Sequence, residues 1–380
     1  MSKTALIVAN RAYAVASSRR PLIDALLSAG WRVVVVVSLD DSAEDLTRMG
    51  AIVESAGFAR GGPNLSKDLF ILFRLRKLVA KYQPDLIQAF NAKPVIAACL
   101  ATFRRKADAP VVVGTITGLG HAFIESPVLA RGIGRAYQLA LRRADAVVFQ
   151  NRDDQDLFVR NGWVKADKTR LVPGSGVDLH RYPFVDRRGR EQAAKKVVLA
   201  ARLINQKGIR FFADVARRVQ EELPETRFIL AGEPDPNHPD AVDEDWFQSQ
   251  TQIEYRGRLE SIHGLLEEGD LLLFPSYREG VPRVVLEAAA MGLPTVAFDV
   301  PGVREAVQDG RTGYLVPDRN LDALTAQTVK LIKDDWARFS MGEKARAFVE
   351  THFDQGAVTR AYLNLYQELG GSVAECCNEV

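Results

Sequence analysis

Two carboxylates and two cations carry the chemistry written most plainly in this chain. Glu279 and Glu287 lie eight positions apart in the run from Arg278 to Glu287, directly after the apolar stretch 271–274 and Pro275-Ser276. An apolar strand would stop at Pro275, a loop would carry Glu279, Gly280 and Val281, and Pro282 would take the first helical position, where its missing N–H costs nothing. Glu287 then falls on the helix. Five helical residues rise about 7.5 Å, so the two carboxylates would serve different parts of one extended ligand. The plainer alternative leaves Glu279 a loop charge and Glu287 an ordinary helix-face glutamate.

The cations stand in a second stretch of the same kind. Val197 to Gly208 reads as a strand, a loop holding Arg202 and Lys207, and a helix that begins near Gly208. A diphosphate is the natural partner: arginine offers a planar fork for phosphate oxygens, lysine a compact charge, and a nearby helix N-terminus adds oriented N–H groups. In a departing nucleoside diphosphate negative charge grows as the bond breaks, so such cations stabilise the transition state more than the ground state. The alternative is a pair of solvated loop charges.

These loops need strands and helices to hold them. Short apolar runs at 5–9, 33–37, 86–89, 111–115 and 146–149 alternate with helix-length amphipathic segments, and the pattern restarts at 197–201, 227–231, 253–255, 271–274 and 295–298. That alternation predicts parallel, doubly wound α/β sheets, one per domain. The expected division is a first domain over 1–177, a polar linker over 178–192, a second domain over 193–355, and a helix within 356–380 that crosses back to the first domain ahead of a frayed tail. At 380 residues the chain is long enough for two such domains, and two lobes invite a cleft between them.

Composition narrows the classes. With 47% hydrophobic and 26% charged residues and a net charge of +2, the chain is an ordinary globular one, and its charge does not imply nucleic-acid binding. No apolar run approaches the ~20 residues of a membrane helix, and the first residues lack secretory-signal features, so a cytoplasmic location is expected. Cys99, Cys376 and Cys377 offer neither a disulfide framework nor metal spacing. A nicotinamide-dependent oxidoreductase would need a glycine-rich turn after its first strand, which the Val8 and Ala201 turns lack.

Taken together the motifs resemble the retaining GT-B glycosyltransferases of family four. The resemblance is carried by Ala201-Arg202-Leu203 with Lys207-Gly208, Ala231-Gly232-Glu233, Pro275-Ser276-Tyr277-Arg278-Glu279-Gly280, Glu287-Ala288, Gly292-Leu293-Pro294 and Gly310 to Pro317; in the first domain it reaches Gln150-Asn151 and Pro173 to Asp178. It implies that Arg202 and Lys207 hold the donor diphosphate, that Glu287 accepts the ribose hydroxyls, and that Glu279 contacts the donor sugar. The amides of Gly280 and Val281 would face that sugar, and Arg258 and Leu259 would lie near the nucleobase. Such enzymes are described as using front-side attack, with the leaving diphosphate helping to take the acceptor proton and no protein nucleophile. This agrees with the lack of a convincing Ser/His/Asp or Cys/His constellation.

The acceptor side departs from the common pattern. Val8 to Tyr13 lacks a glycine pair, and Ala231 to Asp235 lacks a second glycine. Ser18 to Ile23, Asn91 to Pro94 and Thr115 to Phe123 resemble the branch acting on undecaprenyl-diphosphate-linked sugars in surface polysaccharide or glycan assembly. His121 is then a candidate contact to sugar or acceptor, and Arg19, Arg20 and Lys93 are candidates for the acceptor diphosphate, each weighed against a structural or surface role. The donor expected by resemblance is a UDP-linked hexose or N-acetylhexosamine. No cofactor and no essential metal are expected, since Asp243-Glu244-Asp245 follows a polar loop rather than a strand end.

Two basic amphipathic stretches, residues 68–81 and the helix bearing Arg131, Arg135, Arg142 and Arg143, either bury an apolar face on the sheet or rest on anionic headgroups. A lipid-linked acceptor requires some approach to a membrane, so peripheral association with the inner face of the cytoplasmic membrane is expected. The competing readings are a nucleotide-sugar epimerase or hydrolase of the same fold, and a non-catalytic nucleotide-sugar-binding protein.

Overall fold

The computed structural model describes residues 2–58, 65–103, 109–119, 127–189, 194–236 and 238–370. The chain divides into two compact units, one formed by Met1–Ser175 with Gln355–Val380 and the other by Gly176–Asp354. Each is an open α/β sheet whose strand pairings are all parallel.

The first unit contains β1 (Thr4–Arg11), β2 (Arg32–Ser38), β3 (Ile52–Ser55), β4 (Leu86–Phe90), β5 (Val111–Ile116), β6 (Ala146–Phe149) and β7 (Thr169–Leu171), in the order β3-β2-β1-β4-β5-β6-β7. Its central strands are buried on both faces, which is why β2 reads as an unbroken valine run rather than as an alternation. The order reverses between β1 and β4. The second unit contains β8 (Lys196–Ala200), β9 (Arg227–Ala231), β10 (Ile253–Tyr255), β11 (Leu271–Phe274), β12 (Thr295–Phe298) and β13 (Gly313–Val316), in the order β10-β9-β8-β11-β12-β13. Here the reversal lies between β8 and β11, and ligands of such sheets bind beyond the carboxyl ends of the strands at that point.

Three strands escape the apolar-run reading: β3, β7 and β13. All are edge strands of three or four residues, and each carries polar or half-exposed positions that dilute the signal. The helix Gln355–Glu368 packs in the first unit beside the helix Arg20–Ser28. It buries Tyr362 and Tyr366; the Tyr366 hydroxyl donates to Gln88 Oε1 at 2.8 Å, and the Tyr362 hydroxyl lies 3.3 Å from Thr115 Oγ1. Burial raises both phenols above their ordinary range.

Two arginines placed on polar surface by sequence are interior groups. Arg143 is buried, donating to the Thr102 and Pro110 carbonyls at 2.8 and 2.6 Å and to Asp145 at 2.9 Å. Arg187, within the stretch expected to be a linker, is 5% exposed. Its guanidinium donates to the carbonyls of Gly269, Leu266 and Met291 at 2.7, 2.7 and 2.6 Å, fastening the segment that enters the second unit onto the C-terminal ends of the helices that precede β11 and β12. Replacing Arg187 by alanine removes these charge-assisted bonds and leaves the carbonyls without their donor. Arg187→Ala is expected to destabilise the second unit by about 2–4 kcal/mol, read as a lower midpoint in thermal or urea unfolding; an unchanged midpoint would show the anchor to be dispensable.

Candidate active site

The site in the second unit is built where the loop after β8 meets the loop after β11. β8 ends at Ala200, and a short 3-10 turn, Asn205–Lys207, leads through Gly208 into the helix Ile209–Glu222. Gly208 has φ +73°, and a Cβ there would lie 1.9 Å from the Pro275 carbonyl oxygen. Only glycine allows both the left-handed turn and this approach of the two loops. The Gln206 carbonyl accepts from the Tyr277 N–H at 3.0 Å and lies 3.2 Å from Ser276 Oγ, while Asp240 Oδ2 accepts from the Gln206 N–H at 2.6 Å.

This knitting brings the predicted residues together. Lys207 Nζ donates to Glu279 Oε1 at 2.5 Å, and the fully buried Ser276 hydroxyl donates to the same oxygen at 2.6 Å. Glu279 is thus fixed from two sides, by a charge and by a hydroxyl. Its N–H bonds the Pro301 carbonyl at 3.2 Å, and the next residue, Gly302, has φ +82° with its Cα against the chain at Glu279 and Gly280. Arg202 is half exposed and is held through Nη1 by Asp235 Oδ2 at 3.1 Å, the aspartate itself being buried.

Glu287 occupies the helix Arg283–Ala290 and is buried. Arg283 Nη2 donates to its Oε1 at 2.9 Å. Tyr182, stacked on His263 with ring centroids 6.1 Å apart, places its hydroxyl toward the same carboxylate, and burial first, then the Glu287 charge, pushes that phenol up to about 12. Pro282 is the N-cap rather than the first helical residue: its carbonyl accepts from the Val285 N–H at 3.1 Å. The Val281 side chain is buried, Leu259 is half buried against the core, and Arg258 is largely exposed, 3.8 Å from Glu233.

In the first unit the candidates make separate contacts. Arg19 is buried, its guanidinium 4.3 Å from the centre of the Phe90 ring and 6.0 Å from that of Tyr362. Arg20 is exposed, with Nε 3.4 Å from Met49 Sδ, and Lys93 pairs with Asp68 at 3.4 Å. His121 lies outside the described residues. Asp243 caps a helix, accepting from the Trp246 N–H at 2.8 Å.

Sequence reasoning missed Asp235, Asp240, Ser276, Gly302 and Arg283 as members of this site. Ser276 and Asp235 stand inside motifs quoted for their neighbours. Asp240 and Gly302 reach the site from other strand ends and leave no linear signal.

Chemically, the arrangement offers two cations on one loop that could hold a diphosphate and two fixed carboxylates that could accept from hydroxyl groups. Comparison with known proteins gives the family: a model described as "Glycosyl transferase 4-like domain" matches residues 14–175, and one described as "Glycosyl transferases group 1" matches residues 194–334. The chain belongs to the glycosyltransferases built from this pair of domains. Over 365 residues the glycosyltransferase is 27% identical to the N,N'-diacetylbacillosaminyl-diphospho-undecaprenol alpha-1,3-N-acetylgalactosaminyltransferase of Campylobacter jejuni, covering 92% of this chain and 95% of that one. It is 23% identical to the UDP-Gal:alpha-D-GlcNAc-diphosphoundecaprenol alpha-1,3-galactosyltransferase of Escherichia coli, covering 71% and 72% of the two chains. Its fold matches a sucrose-phosphate synthase from Thermosynechococcus elongatus with a TM-score of 0.80 at 20% identity, covering 97% of this chain and 100% of the other. Its two parallel α/β domains are of the GT-B type.

Gly302 provides a test of how the site is held. A Cβ there would lie 2.0 Å from the Gly280 carbonyl oxygen, at a φ that L side chains rarely adopt. Gly302→Ala is expected to displace the loop carrying Glu279 and to lower glycosyl transfer by roughly tenfold or more, the scale on which misplaced groups cost rate, while circular dichroism stays unchanged. Full activity in a folded variant would show that the loop does not depend on this contact.

Proposed function

We propose that this glycosyltransferase moves a hexose or N-acetylhexosamine from a UDP sugar to a saccharide carried on undecaprenyl diphosphate, with retention at the anomeric carbon, in the assembly of a surface polysaccharide or glycan. The observation that carries the donor half is the 2.5 Å contact of Lys207 with Glu279 at the point where strand order reverses, with Arg202 on the loop leading to it. A donor diphosphate would draw Lys207 Nζ onto its oxygens in competition with Glu279. The carboxylate would then accept from the sugar hydroxyls, still held by Ser276. Arg202 and Lys207 stabilise charge as the nucleoside diphosphate leaves, and Glu287, oriented by Arg283, accepts the ribose hydroxyls. The amides of Gly280 and Val281 face the sugar, and Arg258 and Leu259 lie toward the base. The acceptor half is supported by the two relatives, whose names place undecaprenol diphosphate in their acceptors. Arg20, Lys93 and His121 remain its candidate contacts, whereas Arg19 is buried against Phe90 and Tyr362.

In this reading the acceptor hydroxyl attacks on the face the diphosphate leaves, a diphosphate oxygen takes its proton, and no protein nucleophile, cofactor or metal takes part. The enzyme works from the cytoplasm on the inner face of the membrane. Among the described residues no helix is long and apolar enough to cross a membrane; in this reading the association is peripheral.

A panel of UDP sugars with a short polyprenyl-diphosphate sugar tests the reading: one donor should give a product of unchanged anomeric configuration by NMR. Release of free sugar without transfer would favour a hydrolase, and an inverted product would remove the retaining mechanism. Lys207→Ala and Arg202→Ala are each expected to lower turnover roughly 10²–10³-fold with the fold intact. Glu279→Gln should leave UDP affinity within about threefold, since it removes only a competitor for Lys207, while kcat/KM for the UDP sugar falls about 100-fold; a parallel loss of UDP binding would contradict that division of roles. Activity should survive EDTA, and activity lost to the chelator and restored by manganese would overturn metal independence.

A further inference from the structure

In the second unit the loop that carries Arg202 and Lys207 is gripped by the loop that follows β9. The Leu203 N–H donates to the Glu233 carbonyl and the Val242 N–H to the Leu203 carbonyl, each at 3.1 Å, and the Asn205 N–H donates to the Asp240 carbonyl at 2.8 Å. Gly232 permits the approach: a Cβ there would lie 1.7 Å from the Ala201 carbonyl oxygen. This is also the stretch that lacks a second glycine, and Pro234-Asp235 stands in it. Proline fixes the backbone just before the aspartate, and the Asp235 carbonyl accepts from the His238 N–H at 2.9 Å. Asp235 is buried, a place a carboxylate keeps only with donors around it.

The grip brings one oxygen of that carboxylate to one end of a guanidinium. Arg202 Nη1 donates to Asp235 Oδ2 at 3.1 Å, with 54% of the arginine side chain exposed against 9% of the aspartate. So open a pair adds little to stability, because water competes for the arginine. Its effect is on direction. A long side chain in solvent loses rotamer freedom when one end of its planar fork is held, and the plane of the remaining N–H donors is then set. Among the described residues no other side chain bonds the Arg202 guanidinium. Cations stabilise developing charge best when they need not reorganise to meet it.

We propose that Asp235 is a positioning residue: it holds the Arg202 guanidinium in the plane in which that group meets the donor diphosphate as charge develops on it, and it touches neither donor nor acceptor itself. This role presupposes Arg202 as a ligand of the donor diphosphate. An uncharged residue at 235 leaves Arg202 its charge and takes away its direction. Attraction for bound UDP then persists while stabilisation of the transition state falls.

A double-mutant cycle on the full chain tests this, using the UDP sugar and the short polyprenyl-diphosphate sugar that give turnover. Asp235→Asn is expected to lower kcat about tenfold, and to lower it no further in an Arg202→Ala background. Its calorimetric affinity for UDP should stay within about threefold of the wild type. A residue needed only for packing would instead slow both backgrounds by the same factor and weaken UDP binding with them. Arg202→Lys leaves Asp235 in place: lysine keeps the charge but has no fork to be held by one end, so kcat should again fall about tenfold or more. Arg202→Ala at full rate would remove the diphosphate reading itself. With Arg202→Ala slow, the positioning role alone fails if Asp235→Asn keeps full kcat, if the two losses multiply, or if Arg202→Lys turns over at the wild-type rate. Circular dichroism identifies an Asp235→Asn chain that does not fold, and Arg202→Lys, at an exposed position, then decides the outcome.

Discussion

The second unit's site depends on one close approach: the chain after β8 presses against the chain after β11, with Gly208 against the Pro275 carbonyl. Parallel strands deliver their carboxyl ends to one edge, and the reversal of order between β8 and β11 opens a gap there that neighbouring helices do not fill. Two loops entering that gap would each be poorly determined alone. Joined through Gln206, whose carbonyl accepts from the Tyr277 N–H and whose N–H is held by Asp240, they become one frame. The functional groups sit on this frame rather than on free loops. That is the condition for electrostatic groups to act without reorganising when charge develops.

The same logic governs each charge. Glu279 and Glu287 are buried or nearly so, a position a carboxylate holds only when its oxygens find donors. Glu279 has Lys207 and Ser276, and Glu287 has Arg283. The cations are treated alike, Arg202 being tethered by the buried Asp235 while staying open to solvent on its other side. These pairs orient more than they stabilise. In the function proposed above, a donor diphosphate that takes over Lys207 would replace one anion by another, keeping the charge balance of the pocket while the carboxylate became available to hydroxyl groups.

Much of this was legible in the chain because it is linear. Arg202 and Lys207 lie within one loop, and Ser276, Glu279 and Glu287 within one strand-loop-helix unit, so local pattern and local structure coincide. The central strands were legible for a related reason: burial on both faces writes an unbroken apolar run. What the chain hides is whatever two distant segments decide together. The edge strands β3, β7 and β13 pair on one side only and carry mixed residues. Arg19, Arg143 and Arg187 look like surface cations, yet aromatic rings and backbone carbonyls from distant segments take them inside. Gly302, like Gly208, is constrained by another segment, Gly280 passing beside it, and nothing next to it in the chain marks it.

The two units also differ in what occupies the point of strand reversal. In the second it is polar, with Arg202 exposed, Lys207 part-buried and both carboxylates ion-paired. In the first, between β1 and β4, Arg19 is covered by Phe90 and by Tyr362 of the returning helix Gln355–Glu368, and hydroxyls of that helix reach Thr115 and Gln88 in the sheet. A cation enclosed in this way braces the first sheet at the position where the second presents its charges. Under the proposed function the contrast has a chemical reason. A nucleoside diphosphate is the same group whichever sugar it carries, so one fixed pattern of cations and carboxylates recognises it. An acceptor varies in sugar, linkage and carrier, and residues that meet it must vary too, which is why the donor half reads as a motif and the acceptor half as a set of departures from one.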